Sequence, residues 1–119
     1  MDMRLTQTDD GTDKSPLPPV ETCDTCLGNA AEFYKTIGNK ERLSLLWHLA
    51  RGETSVSELE KEFNVRQPTM SQRLAVLREA GLVATRRQGK TIYYRIASDE
   101  ALRCIHLANE MFCGGEAAD

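Results

Sequence analysis

The stretch Ser55–Gly81, SVSELEKEFNVRQPTMSQRLAVLREAG, reads as two short helices joined by a tight turn. Ser55 with Glu58 three residues on is a capping box, in which the hydroxyl accepts a free backbone N–H and the carboxylate reaches back to the cap. Val56, Leu59 and Phe63 then give the first helix an apolar edge. Asn64 marks the break, because asparagine tolerates the left-handed conformation that ends many helices. Pro68 suits the start of the second helix, where its missing N–H costs nothing. Met70, Leu74 and Leu77 recur at i, i+4, i+7, and Gly81 closes the segment. The polar side of this second helix is the informative one. Gln67, Thr69, Ser71, Gln72 and Arg73 crowd its start with no acidic residue among them. Gln and Arg are side chains that read base edges in pairs of hydrogen bonds, and Ser and Thr reach bases or phosphates. A helix start also favours a phosphate. The plain alternative is an ordinary solvated helix face.

The residues that follow weigh against that alternative. Leu82–Ile96, LVATRRQGKTIYYRI, is rich in strand formers, and Gln88-Gly89 supplies a turn. Arg86, Arg87 and Lys90 gather about its tip, so a basic hairpin follows a recognition helix directly: a wing. Between Asn64 and Arg95, seven basic side chains face Glu79 alone, a local charge of +6. The whole chain carries −3, which leaves −9 for the rest. Such segregation is the footprint of a nucleic-acid face on an acidic body.

Gln67 to Val83 together with Arg86 to Tyr94 resembles the recognition helix and wing of the ArsR/SmtB family, small dimeric winged-helix repressors of bacteria. The resemblance extends over about 31–112. It implies a mainly helical winged helix-turn-helix with a small two-stranded hairpin, and a homodimer built through the first and last helices. It implies double-stranded operator DNA as partner, read as a palindrome by two recognition helices about 34 Å apart, and release when an inducer binds. Thr69, Ser71, Gln72 and Arg73 are then expected in the major groove. Gln67 is expected at a phosphate, and Arg86, Arg87 and Lys90 at phosphates or the minor groove. A winged helix used only for protein contacts is the rival of a different class, and the +6 segment opposes it.

At 119 residues the chain is expected to hold one domain. Residues 1–20, rich in Asp, Thr and Pro, read as a disordered tail; 21–113 as the winged-helix domain; and 114–119 as a short C-terminal tail. No apolar run is long enough to span a membrane, and the N-terminus lacks the apolar segment of a signal peptide, so the chain is expected in the cytoplasm with no membrane partner. A first helix is expected from about Leu27 to Ile37, closed by Gly38, with Leu27, Ala30, Ala31, Tyr34 and Ile37 as its apolar face. Asn39 caps a second, leucine-rich helix that runs to Gly52, with Trp47 and His48 read as structural residues. Ser98 caps a last helix over 99–112, with Ala101, Leu102, Ile105, Ala108 and Phe112 as its apolar face; for this helix and the first, periodicity alone does not separate dimer contact from intrachain packing. No phosphate loop, nucleophile elbow or HExxH appears, so the chain reads as a binder that is no enzyme and needs no organic cofactor.

Inducer chemistry must come from Cys23, Cys26, Cys104 and Cys113, since four cysteines in a cytosolic chain point to ligands or redox groups. The family's arsenic-sensing Cys-x-Cys has no counterpart in SVSELEKEF. Its zinc pattern is incomplete, with Asp99, His106 and Glu110 but no second histidine. Cys104 and Cys113 lie nine residues apart, about 13 Å along a helix and on opposite faces, so one chain cannot clamp an ion between them. Two antiparallel copies meeting in a dimer could pair them, and soft thiolates select soft ions such as As(III) or Sb(III). Cys23-x-x-Cys26 stands before a helix, where thiols are more reactive, and either supplies a further sulfur or goes unused. The alternative is a thiol redox switch. Glu110-Met111-Phe112-Cys113 resembles the persulfide-sensing branch of the family, although Trp47 stands where that branch carries the partner cysteine. Cys104 as a merely buried small hydrophobe is the third reading.

Overall fold

The computed structural model describes residues 16, 17, 19 and 24–114. The tail expected over 1–20 lies almost wholly outside the described residues, as do Cys23 and residues 115–119. Five helices and three strands follow one another: α1 (Asp24–Ile37), α2 (Lys40–Leu49), β1 (Thr54–Ser55), α3 (Val56–Phe63), α4 (Thr69–Glu79), β2 (Val83–Gln88), β3 (Thr91–Ile96) and α5 (Asp99–Cys113). No helix among the described residues is long and apolar enough to cross a membrane.

Local chemistry sets most of these boundaries. Gly38 closes α1 because a Cβ there would meet the Tyr34 carbonyl oxygen at 2.8 Å. Asn39 caps α2 through its side-chain oxygen, which accepts from Arg42 N at 3.0 Å. The capping box of α3 is complete: Glu58 N donates to Ser55 Oγ at 3.2 Å, and Ser55 N to Glu58 Oε1 at 3.2 Å. Asn64 ends α3 in the left-handed region at φ 54°. Ser98 caps α5 by accepting from Ala101 N at 3.0 Å, and Gly114 ends it at φ 78°.

The core is built on Leu45, Leu46 and Leu49 of α2, Leu59 of α3, and Met70, Leu74 and Leu77 of α4. Leu82 and Val83 at the wing base, and Ala101 and Ile105 of α5, complete it with Ile37. Trp47 and Phe63 are half-buried against it, and the His48 ring meets Phe63 edge-on at 5.6 Å, a structural use of that histidine. Two helix faces are only partly covered within one chain. On α1, Phe33 and Ile37 pack inward, whereas Tyr34 is 60% exposed; the adjacent aromatics fit the same period, and only tertiary packing separates them. On α5, Ala101 and Ile105 are buried, but Phe112 is 79% exposed because the helix runs on beyond the residues that cover its first half.

The two-stranded hairpin of β2 and β3 gains a third strand at its edge. Thr54 and Ser55 pair with Tyr94 and Tyr93, making an antiparallel sheet of order β1-β3-β2. Two residues are too short to show an alternating pattern; the edge of β3 creates this strand. The turn also sits one residue later than expected, at Gly89-Lys90, with Gly89 at φ 64°.

Removing the Ser55 hydroxyl takes away the acceptor for Glu58 N at the entry to the helix-turn-helix and leaves only the Ser55 N–H to Glu58 half of the capping box. Ser55→Ala is expected to lower stability by about 1 kcal/mol, read as a lower denaturant midpoint with an unchanged slope. A shift under about 0.3 kcal/mol would show that the cap contributes nothing.

Candidate nucleic-acid interface

The interface begins with how α4 is held. Met70, Leu74 and Leu77 are each at most 1% exposed, so one side of the helix is fixed and the opposite side is turned outward. Helical spacing places Thr69, Gln72 and Val76 in one outward row, with Arg73 beside it. Thr69 and Gln72 are exposed and Arg73 is half-exposed. No side chain caps the start of α4, and its first turn holds no acidic residue, so the positive end of the helix dipole faces out unopposed.

Val76 was not anticipated as a surface residue, yet it is 40% exposed within that row. Apolar residues on a helix are read first as core, and the signal that sets Val76 apart is its position off the Met70/Leu74/Leu77 stripe. Ser71 occupies a different side. It borders the buried stripe, and its hydroxyl donates to the Gln67 side-chain carbonyl. Gln67 and Ser71 line a groove of about 330 Å³ together with Ser57 and Glu60 of α3 and Lys90, Thr91 and Ile92 of the wing. The groove therefore joins the start of α4 to the wing tip, as one surface along which a phosphate backbone can run. Glu60 is its one acidic side chain.

The three wing cations that sequence places together are separated by the pleat. Arg87 is level with Ile92, and Arg86 with Tyr93, so the two arginines point to opposite faces of the sheet. Ile92 and Tyr94 line the groove, which puts Arg87 on the side of the helix-turn-helix. Its Nε donates to the Gly89 carbonyl at 3.3 Å, drawing it toward the tip where Lys90 is exposed. Arg86 lies on the far face, ion-paired to Glu53 at 2.9 Å. The hydrogen bond that Arg86 donates to Glu53 raises the affinity of Arg86 for its proton above the ordinary arginine value.

Two of the cysteines lie on α5, outside the α4–wing groove. Cys104 is half-buried on α5, and burial pushes its thiol up, with Arg103 opposing and Glu100 adding to the shift. Cys113, at the end of the same helix, is exposed, as is Cys26. The continuous helix keeps Cys104 and Cys113 about 13 Å apart along its axis. Among the described residues of one protomer, no three His, Cys, Asp or Glu side chains gather to hold an ion.

A helix-turn-helix domain model matches residues 37–86. The biofilm growth-associated repressor of Agrobacterium fabrum is 48% identical over 101 residues, covering 85% of this chain and 84% of that protein. Among solved structures, reduced HlyU from Vibrio cholerae superposes with a TM-score of 0.74 at 34% identity, over 80% of this chain and 99% of that one. A solution structure from Mycobacterium bovis, described as a homodimeric winged helix-turn-helix DNA-binding domain of a possible ArsR-family regulator, gives 0.67 at 29% identity, over 87% and 100%.

A base-reading role for the outward row and a phosphate role for the wing tip predict different losses, since base contacts specify and phosphate contacts position. Gln72→Ala is expected to lose about 1–3 kcal/mol of discrimination between operator and random duplex. Lys90→Ala is expected to weaken both equally and to lower the log–log salt slope by about one. Equal losses on both DNAs for Gln72→Ala would remove that residue from base reading.

Proposed function

The chain belongs to the ArsR/SmtB family of winged helix-turn-helix transcriptional regulators, none of its relatives here being an enzyme, and from that premise we propose that it is a homodimeric repressor released from its operator by a thiol-reactive inducer. The observation that carries the DNA half of this reading is the outward row of α4 standing beside the basic wing tip. In the proposed complex Thr69, Gln72 and Arg73 read base edges in the major groove and Val76 meets a thymine methyl. Ser71 and Gln67 face the backbone from the groove, where Arg87 and Lys90 meet it from the wing. The repressor named among the relatives supports repression as the outcome of binding. A regulator of DNA in a bacterial cell works in the cytoplasm.

The dimer reading rests on apolar surface that one chain leaves open. Leu107, Met111 and Phe112 of α5 are 50%, 58% and 79% exposed, and Tyr34 of α1 is 60% exposed. Large apolar side chains left exposed on these two helices are the surface offered for association, and the homodimeric relative supports a second copy as their cover. The cysteines of α5 lie on that same helix, so chemistry at them acts where the two recognition helices are held in register.

Two inducer chemistries fit these thiols. In the first, As(III) or Sb(III) is held by Cys104 of one protomer and Cys113 of the other, each thiol proton leaving as water with a hydroxide of the metalloid. A third sulfur would have to come from Cys23 or Cys26. In the second, supported by the relative described as reduced HlyU, the thiols are oxidised. The exposed Cys113 thiolate attacks a sulfur of an inorganic polysulfide, and the shortened polysulfide leaves. A second thiolate then attacks the Cys113 persulfide, forming a disulfide and expelling hydrosulfide. The polysulfide is the two-electron oxidant. Because Cys113 is exposed and Cys104 half-buried, Cys113 reacts first in either scheme.

Reduced protein on an operator selected from a random pool separates these chemistries when titrated with antimonite, arsenite and polysulfide in parallel. Release is expected to be abolished in Cys113→Ser. Release by metalloid alone, lost also in Cys104→Ser, establishes the shared soft-ion site. Release by polysulfide alone, with a disulfide in the mass spectrum, establishes the redox switch. Unchanged release in both serine variants would place the inducer site elsewhere.

A further inference from the structure

The Glu53–Arg86 pair has a geometry that a loose surface ion pair does not. Glu53 lies in the short link between α2 and β1, two residues before Ser55, which is level with Tyr93 on the central strand. Tyr93 is in turn level with Arg86 on β2. Residues two apart share a face of a sheet, so Glu53, Tyr93, Arg86 and Gln88 all occupy the face turned away from the helix-turn-helix. Glu53 reaches Arg86 across β3. Arg86 Nε donates to both carboxylate oxygens, at 2.9 and 3.0 Å, and Nη2 to Oε1 at 2.9 Å. Its Nη1 donates to Gln88 Oε1 at 2.8 Å, and the guanidinium carbon lies 4.4 Å from the centre of the Tyr93 ring. Every nitrogen of the guanidinium is engaged, and one of its faces is stacked.

We infer that Arg86 is a positioning residue and not a phosphate contact: with Glu53 it forms a strut over the central strand that fixes the wing tip relative to the helix-turn-helix. Glu53 is covalently two residues from the capped start of α3, and Arg86 is four residues from Lys90. The strut therefore ties the first helix of the reading head to the strand that carries the tip, and the stack on Tyr93 keeps it from swinging. A bidentate arginine–carboxylate pair with a cation–π contact is directional where a lone surface pair is not. Unpaired positive charge at the wing tip is correspondingly that of Arg87 and Lys90. The functional part of this inference rests on the DNA-binding reading, and the structural part does not.

The test uses the full chain with Glu53→Gln, Arg86→Gln, the double variant and Lys90→Gln as comparison. On selected operator, both single variants are expected to weaken binding about threefold to tenfold, and the double variant no further than the weaker single one. Neither is expected to change the log–log salt slope, whereas Lys90→Gln lowers it by about one. In the free protein, Glu53→Gln and Arg86→Gln are both expected to speed amide exchange at 87–91, a readout that needs no DNA. Tighter binding by Glu53→Gln, with a slope lowered by about one in Arg86→Gln, would make Arg86 a phosphate contact that Glu53 merely competes for, and would overturn the strut. Unchanged exchange in both variants would overturn it as well. Failure of the wild-type chain to shift any duplex at low salt, with exchange responding as expected, would sink the DNA reading while leaving the strut standing.

Discussion

Burial of the Met70, Leu74 and Leu77 stripe against the leucines of α2 is the constraint on which the reading head depends. A recognition helix must expose polar side chains at fixed angles, and a helix of 11 residues is marginal by itself in water. Tertiary packing supplies both order and orientation. With these three side chains at most 1% exposed, rotating α4 by even one residue's angle would bring a polar group into the core. The outward row of Thr69, Gln72 and Val76 is thus fixed by what lies on the other side of the helix. Truncating any stripe residue would act on DNA reading without touching the DNA side.

Elements governed by local chemistry were legible in the sequence. The Ser55–Glu58 box, the left-handed Asn64, the Asn39 and Ser98 caps and the α4 stripe each depend on residues within about a turn of one another, and the structure has all of them. What was not legible is non-local. β1 exists because the edge of β3 offers it partners about 40 residues later in the chain, a spacing that alternation in two residues does not reveal. Glu53 and Arg86 are 33 residues apart, and nothing near Arg86 in sequence shows that its charge is already matched. The clustering of Arg86, Arg87 and Lys90 was real in sequence, but the pleat sends the two arginines to opposite faces.

Apolar residues show a second limit of sequence pattern. Tyr34 and Phe112 share the apolar faces of their helices but stand exposed within one chain, and Val76 is apolar yet outward. Periodicity reports which residues share a side of a helix, and says nothing of how far along the helix that side stays covered. On α5 the first half is covered by the protomer's own core and the second half is not. The same apolar side can therefore serve intrachain packing at Ala101 and Ile105 and a second copy at Phe112, a division that only the tertiary structure draws.

That division bears on how chemistry at α5 can reach the DNA. Cys104 lies in the covered half and packs against the core, while Cys113 stands at the exposed end. A new bond at Cys113 alone alters a helix end that the core does not grip, and has little leverage on α4. A bond that joins Cys113 to a thiol anchored in the core, such as Cys104 of a second copy, instead ties the loose half of one α5 to the fixed half of another. Coupling between distant sites in proteins is commonly about 1–3 kcal/mol, or about fivefold to 150-fold in affinity. A linkage of that size relieves repression only when operator binding is itself sensitive to the register of two recognition helices. The rigid seating of α4 provides that sensitivity, because a reading head that cannot adjust within its protomer must lose contacts when the protomers shift.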